Sequence, residues 1–220
     1  MLGLDVRLDA SVTNCARRVI AKAGRIDVLV NNAGVAIAGA LEETTIEEFE
    51  NVMDTNVLGA VRMMRAVLPV MREQRAGRIV NIGSVMAFLP MPYSAAYCAS
   101  KHAIRGLSES VDHEVRGFGI RVVVIEPGFI KTGIVQHSPV AGPMEAYAST
   151  REMAARKFEE ELGRGVDPAV VARVVVEAAT ADSPQSRYLP DSFARVMNLA
   201  HGILPSSLFD FAMRSYFGLD

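Results

Sequence analysis

Three short runs of apolar, largely β-branched residues constrain the fold of this 220-residue chain more than any other feature. They span residues 26–30, 78–82 and 120–125. Each run is short and almost uninterrupted, which is typical of parallel strands that are covered on both faces. Stretches with helical periodicity lie between the runs. We therefore predict right-handed βαβ crossovers and an α/β fold with a doubly wound parallel sheet.

The predicted helices alternate with these strands. Ser11 caps a helix that ends at Gly24, and Thr45 opens a long helical stretch that Gly77 breaks. Asp167 and Pro168 form an N-cap and a first helical turn. The remaining predicted elements are a strand-like piece at 2–6, a helix at 95–118, a short strand at 187–189, and a helical tail from 192 that is broken at Pro205.

Composition restricts the classes of function. Half of the residues are hydrophobic and the net charge is −2, which suits one domain with a sizeable core and no basic surface for nucleic acid. No apolar run is long enough to span a membrane, and no signal peptide is visible. Two cysteines without redox or metal spacing favour a cytoplasmic setting. The four histidines also lack ligand spacing, so we expect no metal.

Polar and glycine residues follow each predicted strand at its carboxyl end. They are Asn31–Gly34, Ser84 and Pro127–Gly128. In open parallel sheets, ligands bind outside the carboxyl ends of the strands. These residues are therefore expected to meet at one edge of the sheet and to form a binding site there.

Tyr97 and Lys101 lie four residues apart within a predicted helix and therefore share one face. A free tyrosine has a pKa of about 10, and a nearby cation lowers that value by favouring the phenolate. Such a tyrosine can exchange a proton with a carbonyl or alcohol oxygen, and Ser84 can hold the same oxygen. The pair alone is also compatible with an amphipathic helix that carries one tyrosine and one solvated lysine.

Six motifs in order resemble the short-chain dehydrogenase/reductase family. They are Leu4-Asp5-Val6, Asn31-Asn32-Ala33-Gly34, Asn56-Val57-x-Gly59, Ile79-Val80-Asn81-Ile82-Gly83-Ser84, Tyr97-x-x-x-Lys101 and Pro127-Gly128-x-x-x-Thr132. The resemblance implies a Rossmann-like fold and an oxidoreductase that uses NAD or NADP to interconvert a secondary alcohol and a ketone. It also implies one domain with a cofactor and catalytic core at 1–132, a substrate-covering segment at 133–165 and C-terminal helices at 166–220.

The resemblance assigns catalytic roles to four residues. Tyr97 would be the proton donor or acceptor, and Lys101 would lower its pKa and bind the nicotinamide ribose. Ser84 would orient the substrate carbonyl. Asn56 would kink its helix and hold a water that links Lys101 to solvent, although it can also be read as a polar residue that simply interrupts the helix.

The same resemblance assigns cofactor contacts. Asn31, Ala33 and Gly34 would line the adenosine side, and Gly34 permits close approach of the backbone because it has no Cβ. The simpler reading of these residues is a strand-to-loop turn. Asp5 would read the adenine amino group with Val6 beside it, or it is a loop acid. The segment that would fix the nicotinamide carboxamide comprises Pro127, Gly128, Ile130 and Thr132.

The sequence departs from the family at its start, which corresponds to the third strand of the family. The glycine-rich turn that holds a pyrophosphate is not present. We therefore expect an N-terminally truncated sheet with one open edge, and two readings stay open: Met1 is an internal methionine of a longer protein, or this is a short form without catalysis. That second form would pair with a full-length relative and would not bind dinucleotide.

Apolar residues recur in the otherwise polar substrate-covering segment, including Met144, Tyr147, Met153 and Phe158, and they are frequent in the tail. They favour core or oligomer contacts, as in a homodimer or homotetramer, and less strongly an apolar substrate pocket or a helix on a membrane surface. By analogy with family members that have apolar C-terminal extensions, we expect a lipid-like alcohol or ketone. A hydrolase that uses Ser84 and Lys101 is a weaker alternative, because the Gly-x-Ser-x-Gly turn is missing.

Overall fold

The structure is a computed structural model, which describes residues 2–134 and 142–219. Four parallel strands form one sheet in the order β1-β2-β3-β4. The strands are β1 (Val28–Asn31), β2 (Gly77–Ile82), β3 (Ile120–Ile125) and β4 (Arg187–Tyr188). This arrangement confirms the predicted α/β, Rossmann-like sheet.

Eight α-helices are present in the described ranges. They are α1 (Asp9–Ala23), α2 (Ile46–Met53), α3 (Gly59–Gln74), α4 (Ala95–Val115), α5 (Ala148–Arg164), α6 (Pro168–Thr180), α7 (Ser192–Ile203) and α8 (Ser206–Phe217). The predicted helix starts are confirmed where Thr45 and Glu48 form a capping box at the start of α2 and where Asp167 accepts a hydrogen bond from the Ala169 backbone at the start of α6. The predicted cap at Ser11 is wrong, because α1 begins at Asp9 and Ser11 lies within its first turn. None of these helices is both long enough and apolar enough to cross a membrane.

Helices cover both faces of the sheet. Residues of α1, α3 and α4 pack against one face around Met71 and Ile79, which have no measurable exposure. On the other face α6 packs against Val80 and Val123. Helices α7 and α8 form a separate apolar cluster beside the chain that follows β2. The helices therefore cover the two faces of the sheet, and the polar residues lie at the carboxyl ends of the strands.

Residues 2–6 do not form the strand that the sequence predicts. The segment is irregular and ends in a turn at Val6 and Arg7. The strand nearest to it in sequence, β1, is at the edge of the sheet, and its residues Val28 and Val30 are 41% and 40% exposed. A strand needs a hydrogen-bonding neighbour, and no described strand lies beside this segment to supply one. The predicted open edge is thus confirmed, whereas the strand at 2–6 is wrong.

The single long helix predicted from Thr45 is divided in the structure. A five-residue π-helical turn at Asp54–Leu58 separates α2 from α3. Such turns are frequent at functional sites because they displace one side chain from the regular helical pattern. Here the displaced part of the helix contains Asn56, which agrees with the kink that the family resemblance assigns to it.

Candidate active site

The carboxyl ends of β1, β2 and β3 meet at one edge, as the sequence predicts. Asn31 is paired with Asn81 across β1 and β2, and Ile82 is paired with Ile125 across β2 and β3. The first site residue beyond β2 is Ser84, which is buried and has extended backbone geometry. The register of the sheet therefore places the predicted site residues along the same edge, at the carboxyl ends of the strands.

Backbone hydrogen bonds hold Ser84 from both sides. The N–H of Gly83 donates to the carbonyl of Ile125 at 2.7 Å, and the N–H of Val85 donates to the carbonyl of Pro127 at 2.9 Å. The Ser84 hydroxyl accepts a hydrogen bond from the Met86 backbone at 3.2 Å. Ser84 thus has a fixed position relative to the end of β3.

Helix α4 brings Tyr97 and Lys101 to the same place. The Lys101 ammonium lies 5.3 Å from the centroid of the Tyr97 ring and donates a hydrogen bond to the Ile82 carbonyl at 2.8 Å. Lys101 is 6% exposed and Tyr97 is half-buried, so neither side chain points into bulk solvent. The structure therefore assembles the pair that the Tyr-x-x-x-Lys spacing predicts, next to the end of β2.

The pKa values of this pair correct one sequence-based expectation. Burial raises the pKa of Tyr97 to about 12, and the hydrogen-bonding interaction with Ser84 opposes this rise only in part. Burial also lowers the pKa of Lys101 to about 8. We expected the lysine to lower the pKa of the tyrosine, but the removal of the phenol from water dominates the shift, and the opposing contribution comes from Ser84.

Asn56 is buried in the π-helical turn and connects three parts of the site. Its side-chain oxygen accepts from the Val35 N–H at 2.8 Å, and its amide donates to the Val35 carbonyl at 2.9 Å and to the Ser100 hydroxyl at 3.0 Å. Asn56 therefore joins the loop after β1 to helix α4, one residue before Lys101.

A row of buried polar side chains extends from Asn31 into the protein. Asn31 donates to Asn81 at 2.8 Å, Asn81 donates to the Ser108 hydroxyl at 2.8 Å, and Ser108 donates to the Ile104 carbonyl at 2.6 Å. The sequence analysis includes Asn81 in a family motif but assigns it no role. Its position inside a strand with apolar neighbours is the signal that marks it as a site-supporting residue.

A small polar recess lies beside this row, with Val6, Asn31, Ala33 and Asn56 among the residues that line it. Gly34 lies next to the recess, and a Cβ built on it would be 3.4 Å from the Asn56 side-chain oxygen. The structure thus brings Val6, Ala33 and Gly34 together at the end of β1, as expected for one side of a ligand site.

Asp5 interacts with a neighbouring residue in the sequence. Its carboxylate binds the backbone and guanidinium of Arg7, with a side-chain ion pair at 3.2 Å. These hydrogen bonds lower the pKa of Asp5. The structure accounts for Asp5 by this local pair and leaves its adenine contact as a prediction.

The segment from Pro127 to Thr132 leaves the end of β3 and is held by residues that are distant in sequence. The Gly128 N–H donates to Asp191 at 2.8 Å, and the Lys131 N–H donates to the Val166 carbonyl at 3.1 Å. Asp191 is buried, caps α7, and was missed from the sequence. Its position directly before a helical stretch indicates the cap, but the contact with Gly128 depends on tertiary structure.

An apolar cavity of about 260 Å³ is lined in part by Val85 and Met86, the two residues that follow Ser84. The residues that line it follow Ser84, follow Gly128, or belong to α7 and α8; they include Val85, Met86, Phe129, Phe193, Met197 and Met213. The tail was predicted as core, oligomer contact or pocket, and the structure places part of it along this cavity.

The predicted substrate-covering segment contributes less to this cavity. Tyr147 and Met153 are not among its lining residues, and Phe158 contacts Phe129 with a distance of 5.5 Å between ring centroids. Residues 135–141 of that segment are outside the described residues. Across residues 2–134 and 142–219, no cluster of three His, Cys, Asp or Glu side chains is arranged to hold a metal ion.

A doubly wound parallel sheet that collects a tyrosine, a lysine and a serine at the carboxyl ends of its strands is typical of the α/β proteins that bind nucleotides at this edge. The model for the short chain dehydrogenase family matches residues 1–140. The chain belongs to the short-chain dehydrogenase/reductase family.

Two curated relatives illustrate the similarity. The 3-ketodihydrosphingosine reductase of Bacteroides thetaiotaomicron is 34% identical over 223 residues, which cover 100% of this chain and 83% of that protein. The estradiol 17-beta-dehydrogenase 1 of Rattus norvegicus is 37% identical over 194 residues, covering 86% of this chain and 56% of that protein.

Solved structures of family members are similar to this chain in fold and sequence. A short-chain dehydrogenase from Streptomyces avermitilis has a TM-score of 0.84 at 32% identity, with 99% of this chain and 80% of that chain covered. ElxO with NADP bound has a TM-score of 0.73 at 29% identity, with 88% and 77% covered. A family member from Burkholderia phymatum in complex with NAD has a TM-score of 0.76 at 30% identity, with 90% and 73% covered.

Proposed function

We propose that this protein is an NAD(P)-dependent oxidoreductase that interconverts an apolar secondary alcohol and its ketone. The observation that carries the proposal is the buried Lys101 ammonium above the Tyr97 ring, beside Ser84 at the carboxyl edge of the sheet. Burial of the Lys101 ammonium, with its lowered pKa, is costly, and the pKa of the half-buried Tyr97 is raised; such perturbed groups concentrate at functional sites.

The residues at the strand ends are compatible with a dinucleotide. Gly34 brings its backbone close to Asn56, since a Cβ there would be 3.4 Å from the Asn56 side-chain oxygen, and the backbone of Gly128 approaches Asp191 so closely that a Cβ would be 2.8 Å from its oxygen. Asn31, Ala33 and Gly34 would hold the adenosine side of the cofactor, whereas Lys101, Ile130 and Thr132 would hold its nicotinamide side. The bound nicotinamide would supply or accept the hydride.

Tyr97 would carry the proton. With a pKa of about 12 it is protonated at neutral pH and can donate its proton to a carbonyl oxygen. Ser84 would donate a hydrogen bond to the same oxygen and so stabilise the charge that develops there. Lys101 would hold the ribose and, through its positive charge, favour the phenolate that remains. Asn56 would keep the loop after β1 in place against α4.

The apolar cavity supports a lipid-like substrate. It begins at the two residues that follow Ser84, so a carbonyl held by Ser84 would have its apolar body among methionine and phenylalanine side chains. Methionine adapts to irregular apolar shapes, which suits a bulky ligand. The names of the two relatives, a 3-ketodihydrosphingosine reductase and an estradiol dehydrogenase, also refer to apolar molecules.

The test is turnover of 3-ketosphinganine and of estrone with NADH and NADPH, for the wild-type chain and for Tyr97→Phe. We expect Tyr97→Phe to abolish turnover and to leave folding and cofactor binding nearly unchanged. Tyr188→Phe is the matched control, because that buried tyrosine lies on β4 and its hydroxyl accepts a hydrogen bond from the Gln185 backbone at 3.1 Å. Turnover by Tyr97→Phe at the wild-type rate would refute the proton role.

A second candidate is a non-catalytic chain that pairs with a full-length relative and does not bind dinucleotide. The exposed edge of β1, where Val28 and Val30 face outward, is the observation that favours it. Titration of the purified chain with NADH and NADPH, followed by cofactor fluorescence, separates the two candidates. Saturable binding refutes the second candidate, and its absence at millimolar cofactor refutes the first for this chain.

Several sequence-based expectations stay predictions. They are the cytoplasmic setting, a homodimer or homotetramer, the single-domain organisation with boundaries near 132 and 165, and the lack of nucleic-acid or membrane partners.

A further inference from the structure

We propose that Glu126, which none of the catalytic roles above uses, is a positioning residue that sets the distance between Ser84 and the Tyr97–Lys101 helix. The proposal rests on the proposed function for its catalytic readout. Glu126 directly follows β3 and its side chain is completely buried. Burial of a carboxylate costs free energy of desolvation, which only charged or hydrogen-bonding partners can offset.

Backbone hydrogen bonds join the two neighbours of Ser84 to the two neighbours of Glu126. Gly83, before Ser84, donates a backbone hydrogen bond to Ile125, and Val85, after Ser84, donates to Pro127. A Cβ on Gly83 would be 3.2 Å from the Cγ of Glu126, so the backbone before Ser84 rests on the Glu126 side chain. Any movement of Glu126 would therefore move the attachment of Ser84.

The carboxylate also holds two other elements through arginines. Arg187 on β4 donates to one carboxylate oxygen from Nε at 2.9 Å and from a terminal nitrogen at 2.5 Å. Arg105 on α4 lies with its Nε 3.8 Å from the other oxygen, which has no hydrogen-bond partner among the described residues. Arg105 is one helical turn after Lys101 and on the same face, and its Nε also donates to Glu109 on α4 at 3.2 Å. The attraction between Arg105 and Glu126 therefore links the part of α4 that carries Lys101 to the end of β3.

Phe88 lies in contact with both arginines. The guanidinium carbons of Arg105 and Arg187 lie 6.0 Å and 5.8 Å from the centroid of its ring, within the range of a cation–π contact. Phe88 ends the short turn that Ser84 begins. One buried carboxylate thus joins β3, β4, α4 and the Ser84 turn, which are the elements that hold the proposed catalytic groups.

Asp112 provides a matched control at the other end of the same strand and helix. It is a buried carboxylate on α4 that binds Arg116 and Arg121 and accepts from the Val122 backbone at 2.8 Å. It resembles Glu126 in burial and in having two arginine partners, but it lies at the amino end of β3. If Glu126 only stabilises the fold, Glu126→Gln and Asp112→Asn should behave alike.

The first experiment measures position without turnover. The chain is labelled at tyrosine Cζ with ¹³C, and the Tyr97 resonance is assigned with Tyr97→Phe. We expect Glu126→Gln to shift the Tyr97 resonance and Asp112→Asn to leave it unchanged. An unshifted resonance in Glu126→Gln would overturn the proposal, even if the chain proves to have no catalytic activity. Lack of turnover by the wild-type chain would instead count against the proposed function alone.

The second experiment measures rates at a temperature where all variants are fully folded. We expect Glu126→Gln to lower kcat by about 10- to 100-fold with little change in KM, since misplacement of catalytic groups by about 1 Å has effects of that size. Glu126→Asp, which keeps the charge, should recover part of that loss. Asp112→Asn should lower stability without lowering kcat. Equal kcat values for Glu126→Gln and Asp112→Asn would overturn the proposal.

Discussion

Replacing Lys101 by methionine tests the energetic side of the site, because the burial of this ammonium should destabilise the protein in a pH-dependent way. A fall in pKa from 10.5 to about 8 corresponds to about 3 kcal/mol of destabilisation of the charged form. Between these pH values the unfolded chain binds more protons than the folded chain, so stability rises with pH. From pH 7 to pH 9.5, the gain that Lys101 provides should be about 2 kcal/mol.

Methionine has similar length and no charge, so Lys101→Met should lack this gain. At pH 7 the variant should be more stable than the wild type, since it buries no ammonium, although it loses the hydrogen bond to the Ile82 carbonyl, worth about 1 kcal/mol. Other titrating groups are common to both proteins. The difference between the two stability profiles therefore isolates Lys101.

The assay is urea denaturation monitored by circular dichroism at half-unit steps from pH 7 to pH 9.5. Lys22→Met is the control, because Lys22 is exposed near the end of α1, and its profile should be parallel to that of the wild type. The range stops at pH 9.5 because Tyr97, with a pKa raised to about 12, opposes the trend once unfolded tyrosine begins to ionise. Parallel profiles for Lys101→Met and the wild type would refute the reasoning.

Two further changes test the packing around the site. Asn56→Ala removes three buried hydrogen bonds to Val35 and Ser100 and should lower the free energy of unfolding by about 2–4 kcal/mol, as measured by urea denaturation; a loss below 1 kcal/mol would contradict the role of Asn56 as a connector. Ala200→Leu places a larger side chain in the apolar cavity and should raise KM for a bulky ketone such as estrone but not for a small one such as cyclohexanone. An equal effect on both ketones would argue against this cavity as the substrate pocket.

The sequence predicted the sheet well because its strands are buried on both faces and therefore appear as nearly pure apolar runs. The run at 120–125 corresponds without change to β3, and the run at 78–82 corresponds to β2 with one more residue. The piece at 2–6 failed because strand formation depends on a hydrogen-bonding neighbour, which a local pattern does not specify. The π-helical turn at Asn56 was not predicted as such, since apolar residues recur at intervals of three or four residues on both sides of it.

The site shows the same division between local and tertiary information. The spacing of Tyr97 and Lys101 is local, and the structure brings them together as expected. The direction of the Tyr97 pKa shift was wrong because burial, a tertiary property, dominates that shift. Asp191 and Glu126 were not selected because their partners, Gly128 and Arg187, lie about sixty residues away in the chain.

The most direct test of the account follows the hydride with a deuterium label and tests the proton donor with the Tyr97→Phe variant. The wild-type chain and Tyr97→Phe are each mixed with an apolar ketone and nicotinamide cofactor deuterated at C4, and the alcohol product is examined by mass spectrometry. The account predicts one deuterium on the carbinol carbon with the wild type and no alcohol with Tyr97→Phe. Alcohol without deuterium would contradict hydride transfer from the nicotinamide, and equal yields from the two proteins would contradict the role of Tyr97 as the proton donor.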